Sequence, residues 1–283
     1  MNPHFAALQA AYQLHFYLCL KTRYLHPLLR SVAAQSIVLS TLEEVCCRED
    51  YHLLESELTQ DHLRVLVSLQ PTQTVSNVVR MLKGNTDHEF RCSLADELQR
   101  HQTTALWAKG YFARSAGKVD LDVVRDYVAR QVSHHGYKGS WTRPLQYCNP
   151  EFRSPAFPMP HCFCLLNYHI VLVTQERRSV FDEVIAPRLF EYVRTVGMKH
   201  RFAIDRIGLL PDHMHLVIEA RPDVSIEEYV RAIMESTRYW MNKNYYGVLK
   251  ETKAWDLWKP SYYAGTVGEY TTAQVKAFLK MYG

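Results

Sequence analysis

Two histidines one residue apart, His213 and His215, stand in the string Pro211-Asp212-His213-Met214-His215-Leu216-Val217-Ile218. On an extended strand alternate residues point to the same face. This spacing therefore aims two imidazoles at one point, where they can ligate a metal and leave positions open for substrate oxygens. A lone pair at this spacing also reads as two incidental histidines. The apolar flank Leu216-Val217-Ile218 buries the strand and narrows that reading without closing it. A second pair, Tyr127 and Gln131, lies four residues apart on the helix-like run from Asp120 to Gln131, and so stacks on one helical face. A tyrosine there is ordinarily a packing residue. As a nucleophile its phenol, with a pKa of about 10, needs a polarised electrophile, and a metal provides one. A glutamine oxygen is a neutral ligand that leaves the metal's Lewis acidity in place.

The elements that carry these pairs occur twice. Gln60-Asp61-His62-Leu63-Arg64-Val65-Leu66-Val67 aligns with the histidine string at an offset of 151 residues, His62 falling on His213. Without a gap, Pro71 then falls on Pro222, Val79-Arg80 on Val230-Arg231, Leu106-Trp107 on Leu257-Trp258, Tyr111 on Tyr262, Gly117 on Gly268, and Tyr127 on Phe278. The first copy keeps the tyrosine but has Arg64 in place of the second histidine. The second copy keeps both histidines but has Phe278 for the tyrosine and Tyr282 for the glutamine.

Each copy predicts the same order. A strand (Leu14 to Leu20; Tyr168 to Val173) precedes a helix, of which Phe181 to Val193 is the clearer example. Two strands follow, Phe202 to Ile207 and His213 to Glu219 in the second copy. A helix is then opened by Ser225 as N-cap with Glu228 completing a capping box, and its counterpart begins near Thr74. An aromatic strand (Trp107 to Ala116; Trp258 to Val267) and a terminal helix close each copy. The order β-α-β-β-α-β followed by a helix implies an α+β fold of two ferredoxin-like antiparallel-sheet domains, and the duplication implies a pseudo-twofold arrangement. The predicted domains are 9–136 and 160–283. A linker of extended character spans 137–159, punctuated by Pro144, Pro150, Pro155 and Pro158 with Pro160 just beyond.

A chain of 283 residues accommodates two such domains, each able to bury a core. With 47% hydrophobic and 22% charged residues the balance is that of a globular protein. The net charge of +4 permits a nucleic-acid partner without arguing for one. No apolar run approaches the ~18 residues of a membrane span and the N-terminus lacks a signal-peptide plan, so a cytoplasmic protein without a membrane partner is expected. Seven cysteines, including Cys46-Cys47 and Cys162-x-Cys164 but no CxxC pair, suit neither zinc spacing nor a disulfide framework. Reduced thiols are expected.

Three motifs in order, the Pro-Asp-His-Met-His-Leu-Val-Ile string, the strand Trp258-x-x-Ser261-Tyr262-Tyr263-x-Gly265-Thr266-Val267-Gly268 and the Tyr127-x-x-x-Gln131 helix, resemble the single-tyrosine HUH transposases of the insertion-sequence-200-like type. The resemblance covers almost the entire chain, once per copy. It implies an HUH domain in each copy and a divalent metal, Mg²⁺ or Mn²⁺, held by two histidines and a glutamine. It implies a helical tyrosine that attacks a scissile phosphate, leaving a 5′-phosphotyrosyl link and a free 3′-hydroxyl that later rejoining consumes. The implied substrate is single-stranded DNA with hairpin ends, and the implied assembly is a dimer with exchanged C-terminal helices. Carried onto this chain, His213 and His215 match the metal-binding histidines, Tyr127 the nucleophile and Gln131 the third ligand.

If each copy used its own helix, both sites would lack a part. If the helices are exchanged, His213, His215, Tyr127 and Gln131 form one complete site, and His62, Arg64, Phe278 and Tyr282 form one degenerate site. A guanidinium is cationic and is not a metal ligand. The expected protein is therefore a fused dimer with one composite active site, a single-strand DNA endonuclease and strand transferase, with association of two chains as one route to two cleavages. Tyr282, a turn beyond Phe278, is a rival nucleophile. Arg80, Lys83, Arg231, Arg238 and Lys243 either track DNA phosphates or form a solvated face, and Arg64 is placed to hold a phosphate by charge. Trp107, Tyr111, Trp258, Tyr262 and Tyr263 either stack unpaired bases or pack the core. The reading from another class is an inactive protein that binds nucleic-acid hairpins.

Overall fold

The computed structural model describes residues 7–117, 120–135, 145–157, 159, 161–253 and 256–268, with the backbone alone for 129–135. In chain order the elements are β1 (Gln9–Gln13), β2 (His15–Lys21), α1 (Val32–Arg48), β3 (His52–Leu58), β4 (His62–Ser68), α2 (Val75–Ser93), α3 (Ala95–Arg100), β5 (Tyr111–Ala116) and α4 (Leu121–His135). They continue with β6 (Leu145–Cys148), β7 (Cys162–Thr174), α5 (Ile185–His200), β8 (Phe202–Leu210), β9 (His213–Ala220), α6 (Ile226–Asn244), α7 (Tyr246–Glu251) and β10 (Trp258–Val267). The predicted caps form: Thr74 Oγ1 accepts from Asn77 N at 3.3 Å and Ser225 Oγ from Glu228 N at 3.3 Å. Helix α5 starts later than its apolar pattern suggests. The Asp182 carboxylate accepts from Val184 N at 2.9 Å and Ile185 N at 2.8 Å, and Pro187 sits in the first turn.

The strands form one mixed sheet of ten, not the two antiparallel sheets expected. Each half does pair antiparallel internally, in the orders β3-β4-β2-β5 and β8-β9-β7-β10. Strand length merges them. The 13-residue β7 pairs antiparallel with β10 along Asn167–Thr174, while its opening segment from Cys162 to Leu165 runs parallel to β5. The first half repeats this with two strands: β2 pairs antiparallel with β5, and β1 runs parallel to β10.

Local contacts repeat at the same spacing. Trp107 Nε1 donates to Thr86 Oγ1 at 2.8 Å, and Trp258 Nε1 to Thr237 Oγ1 at 2.8 Å. β-Bulges break the register between Leu53 and Glu55 and between Ile204 and Arg206. Where the halves meet, the bonds are reciprocal: Ser76 N donates to Pro222 O at 2.8 Å, and Glu227 N to Pro71 O at 3.1 Å.

The main core lies on one face of the sheet, where α1, α2, α5 and α6 pack on residues such as Leu18, Val65, Ile170, Met214, Leu216 and Ile218. The opposite face carries Val217, and there α4 lies. Within the predicted linker, β6 adds an edge strand to β8, and buried Glu219 accepts from Ser154 Oγ at 2.5 Å and Ala156 N at 2.6 Å. Cys162 and Cys164, expected as free thiols, are disulfide-bonded. Alternate residues on a strand share a face, and their Cα atoms are 5.8 Å apart, within bridging reach. Among the described residues no helix is long and apolar enough to cross a membrane.

Candidate active site

Both histidines of β9 point to the face that α4 covers, and both are buried. Each is held at Nδ1. The Asp212 carboxylate lies 2.6 Å from His213 Nδ1, and His169 Nε2 on the neighbouring strand β7 lies 2.9 Å from His215 Nδ1. The rings of His169 and His215 lie side by side, with centroids 5.2 Å apart and planes 18° apart, and His213 lies 5.1 Å from His215 edge to face. Burial pushes His169 down to about 4, which makes it a neutral partner near neutral pH.

Helix α4 crosses from the first half onto the strands of the second. Val124 and Val128 pack against Val217 and Val267, with Leu121 at the margin. The bulge in β8 turns Asp205 toward the helix, where its carboxylate accepts from Arg125 Nε at 2.7 Å. This docking sets the Tyr127 ring 5.8 Å from His215 and 6.3 Å from His169. Tyr127 remains 39% exposed, so its phenol is reachable from solvent beside a buried histidine wall. Gln131 follows one turn later on α4; its side chain lies outside the described residues.

The corresponding first-half position holds His62, whose Nδ1 lies 2.7 Å from the Asp61 carboxylate and 2.7 Å from Thr59 Oγ1. Arg64 is ion-paired to Glu57 at 2.8 Å. Strand pairing sets Tyr17 where the second half has His169 and sets Cys19 opposite Arg64, and burial pushes the Cys19 thiol up to about 12. Phe278 and Tyr282 lie outside the described residues.

The remaining cations stand elsewhere. Arg80 and Lys83 on α2, and Arg231, Arg238 and Lys243 on α6, belong to helices on the opposite face of the sheet from His213, His215 and Tyr127. Lys83 Nζ donates to the carbonyls of Ala108, Lys109 and Gly110 at 2.5, 3.1 and 3.3 Å. Arg231 pairs with Glu227 at 2.8 Å, Arg238 Nε reaches both oxygens of Asp256 at 2.8 Å, and Arg80 donates to Asn77 at 2.6 Å. Lys243 Nζ lies 6.0 Å from the centre of the Tyr239 ring.

Two imidazoles, each fixed at Nδ1 by a second group, are donors suited to a divalent ion, because metal-bound histidine ordinarily has its other nitrogen held in this way. Among the described residues no group of three or more His, Cys, Asp or Glu side chains is placed to hold a metal ion. Sequence reasoning passed over His169, Arg125 and Asp205. The strand containing Tyr168-His169 read as an apolar run, and only pairing with β9 reveals its partner. The bulge that brings Asp205 to Arg125 leaves no mark in residue spacing.

Residues 9–131 and 162–281 each match the family model described as "Transposase IS200 like". The ISDra2 transposase TnpA of Deinococcus radiodurans is 27% identical over 115 residues, 41% of this chain and 82% of that protein. The transposase for insertion sequence element IS200 of Salmonella typhimurium is 26% identical over 93 residues, 33% of this chain and 60% of that protein. A crystal structure of a suspected transposase from Deinococcus radiodurans is similar at 25% identity and a TM-score of 0.35, over 46% of this chain and 95% of that one.

Proposed function

Because this chain belongs to the IS200-like transposase family, we propose that it nicks and rejoins single-stranded DNA through a 5′-phosphotyrosine, at one composite site made of second-half histidines and the first-half tyrosine helix. The observation that carries this is the 5.8 Å approach of Tyr127 to His215, between residues 88 positions apart in the chain on either side of the linker. The chain is a fused dimer, with ferredoxin-like halves at 9–136 and 160–283, a linker at 137–159, and C-terminal helices exchanged about a pseudo-twofold axis. The reciprocal bonds Ser76–Pro222 and Glu227–Pro71 support that symmetry, since an isologous contact repeats with the partners interchanged.

Tyr127 Oη forms the new bond to phosphorus as the bond to the 3′-oxygen breaks. The phenol proton leaves to water, and the departing 3′-oxygen is protonated to a hydroxyl. Rejoining reverses both bonds, so no nucleotide cofactor is consumed. His213 and His215, with Gln131 as the expected third donor, would hold Mg²⁺ or Mn²⁺. When bound, the ion supplies Lewis-acid polarisation of a phosphate oxygen. For His215 to present Nε2 as a ligand, its proton must sit on Nδ1 and be donated to Nε2 of neutral His169. Docking of α4 holds the phenol beside this pair, so the nucleophile is oriented before DNA arrives.

The test is incubation with labelled single-stranded DNA carrying a hairpin, with and without Mg²⁺ or Mn²⁺, followed by denaturing electrophoresis. A metal-dependent covalent adduct mapped by mass spectrometry to Tyr127, and absent from Tyr127→Phe and His213→Ala, is expected. An adduct on Tyr282 would move the nucleophile to the second half. Hairpin binding without any adduct would favour the inactive binding protein.

A further inference from the structure

On the same face as the histidines, a groove of about 390 Å³ runs beside them. Gln9, Ala11, Val171, Val173, Ser261 and Tyr263 line it. Its floor adjoins the site directly, since Val171 and Val173 are the cross-strand neighbours of His215 and His213. The Tyr263 ring lies 6.1 Å from His169 and is 38% exposed. Of the five aromatics singled out for base stacking, Trp107, Trp258 and Tyr262 are buried and Tyr111 is half-buried and bonded to Ser76, whereas Tyr263 is open to solvent.

The first half shows what this groove lacks. The cross-strand pair Tyr263–Ala11 of β10 and β1 has as its counterpart the pair Phe112–Phe163 of β5 and β7. There two rings stack at 5.5 Å with planes 8° apart, and Phe112 is fully buried. The second half keeps one ring and replaces the other by Ala11, so a flat aromatic surface stands beside an open space of ring size. Gly265 contributes as well: a Cβ there would come within 2.6 Å of the Tyr263 hydroxyl, so its absence lets the ring lean over Gly265.

We infer that this groove is a base-stacking subsite, in which an unpaired base of the single-stranded DNA next to the scissile phosphate lies over Ala11 against the ring of Tyr263. This rests on the proposed single-strand cleavage and adds to it a side chain that grips a base, where Tyr127 and the histidines address the phosphate. Stacking tolerates any base, so the subsite fixes the strand's position without selecting sequence.

The probe is a thymidine oligonucleotide with alternate bases replaced by 5-iodouracil, photo-crosslinked and mapped by mass spectrometry. Binding of the plain oligonucleotide is compared with that of an abasic oligonucleotide of equal length. The adduct is expected on Tyr263, and the thymidine strand is expected to bind about tenfold tighter than the abasic one, within the range of one base–aromatic stack. Tyr263→Phe should keep that preference. Tyr263→Ala should lose it, and so should Ala11→Phe, which restores the first half's ring pair at an exposed strand position. Crosslinks confined to other residues, or an undiminished preference in both Tyr263→Ala and Ala11→Phe, would overturn the subsite. A Tyr127 adduct that still forms in those variants would leave the cleavage reading standing. Failure of the wild type to bind either oligonucleotide would overturn the subsite, while the cleavage reading stands or falls on the hairpin substrate.

Discussion

The imidazole of His169 lies edge to edge with that of His215 and close to its plane, its Nε2 2.9 Å from the other ring's Nδ1. One strand thus supplies a candidate ligand and its neighbour orients it, as the Asp212 carboxylate orients His213. His169→Phe keeps an aromatic ring at this position and removes the hydrogen bond. It is expected to weaken Mn²⁺ binding roughly 10- to 100-fold, as loss of a group behind a metal ligand generally does. Asp212→Asn should act similarly at His213. Titration with Mn²⁺ followed by electron paramagnetic resonance reads binding without turnover, and wild-type affinity in both variants would show that the Nδ1 partners are dispensable.

Helix α4 is fastened by valines and by the ion pair Arg125–Asp205, whose carboxylate is buried. Arg125→Met leaves that carboxylate without its guanidinium and is expected to cost about 2 kcal/mol, the scale of a hydrogen bond to a charged group. Adduct formation should fall at least tenfold as Tyr127 loses its position. Combining it with Asp205→Asn should restore part of the stability, because the orphaned charge is removed. A double-mutant cycle by urea unfolding measures that coupling, and strict additivity would show that the pair does not anchor the helix.

Short-range order was legible wherever side-chain chemistry is local. Ser225 and Thr74 announce helix starts through their own hydroxyls, and the His213–His215 alternation fixes a strand face by its period. What joins the halves was not legible. The parallel pairings of β1 with β10 and β5 with β7 depend on strand length and on a partner about 50 to 250 residues away in sequence. The bulge at Ile204/Arg206 inserts a residue without a glycine or proline to signal it. Lys83 was not legible for a related reason: its place on a helix leaves open where the side chain goes, and it folds back onto three carbonyls of a later loop.

That fold-back has a pH signature. Burial lowers the Lys83 ammonium to about 8, below its unfolded value near 10.5. Between those values the unfolded chain binds the extra proton, so stability contributed at this position rises with pH. Compared with Lys83→Met, which does not titrate there, the wild type should show a constant stability difference below about pH 8. Above it the difference should climb in favour of the wild type, with a limiting slope of about 1.4 kcal/mol per pH unit. Urea denaturation of both proteins from pH 7 to pH 10 checks this, and a flat difference across the range would contradict it.

Two glycines should respond to alanine with opposite signs. Gly84 lies within α2 with no atom within 4 Å of an added Cβ, so Gly84→Ala removes a conformational cost and should stabilise by about 0.5–1 kcal/mol. Gly117 sits where the halves touch, donating from its N–H to Gly268 O at 2.9 Å. A Cβ there would meet Thr266 O at 2.4 Å, its carbonyl carbon at 3.2 Å and Val267 Cα at 3.2 Å. All three are backbone atoms, and Thr266 Oγ1 and Ser115 Oγ tie the same stretch to Ala116 O and Val267 O, each at 2.6 Å. No side-chain rotation relieves that contact, so β5 and β10 must separate, at a cost of about 1–3 kcal/mol. The displacement also reaches the site, because Val267 is part of the surface on which Val124 and Val128 seat the tyrosine helix. Gly117→Ala should therefore lower both the thermal midpoint and the yield of tyrosine adduct, whereas Gly84→Ala should raise the first and leave the second unchanged. Equal stability shifts in the two variants would show that the contact at Gly117 is not what holds the halves in register.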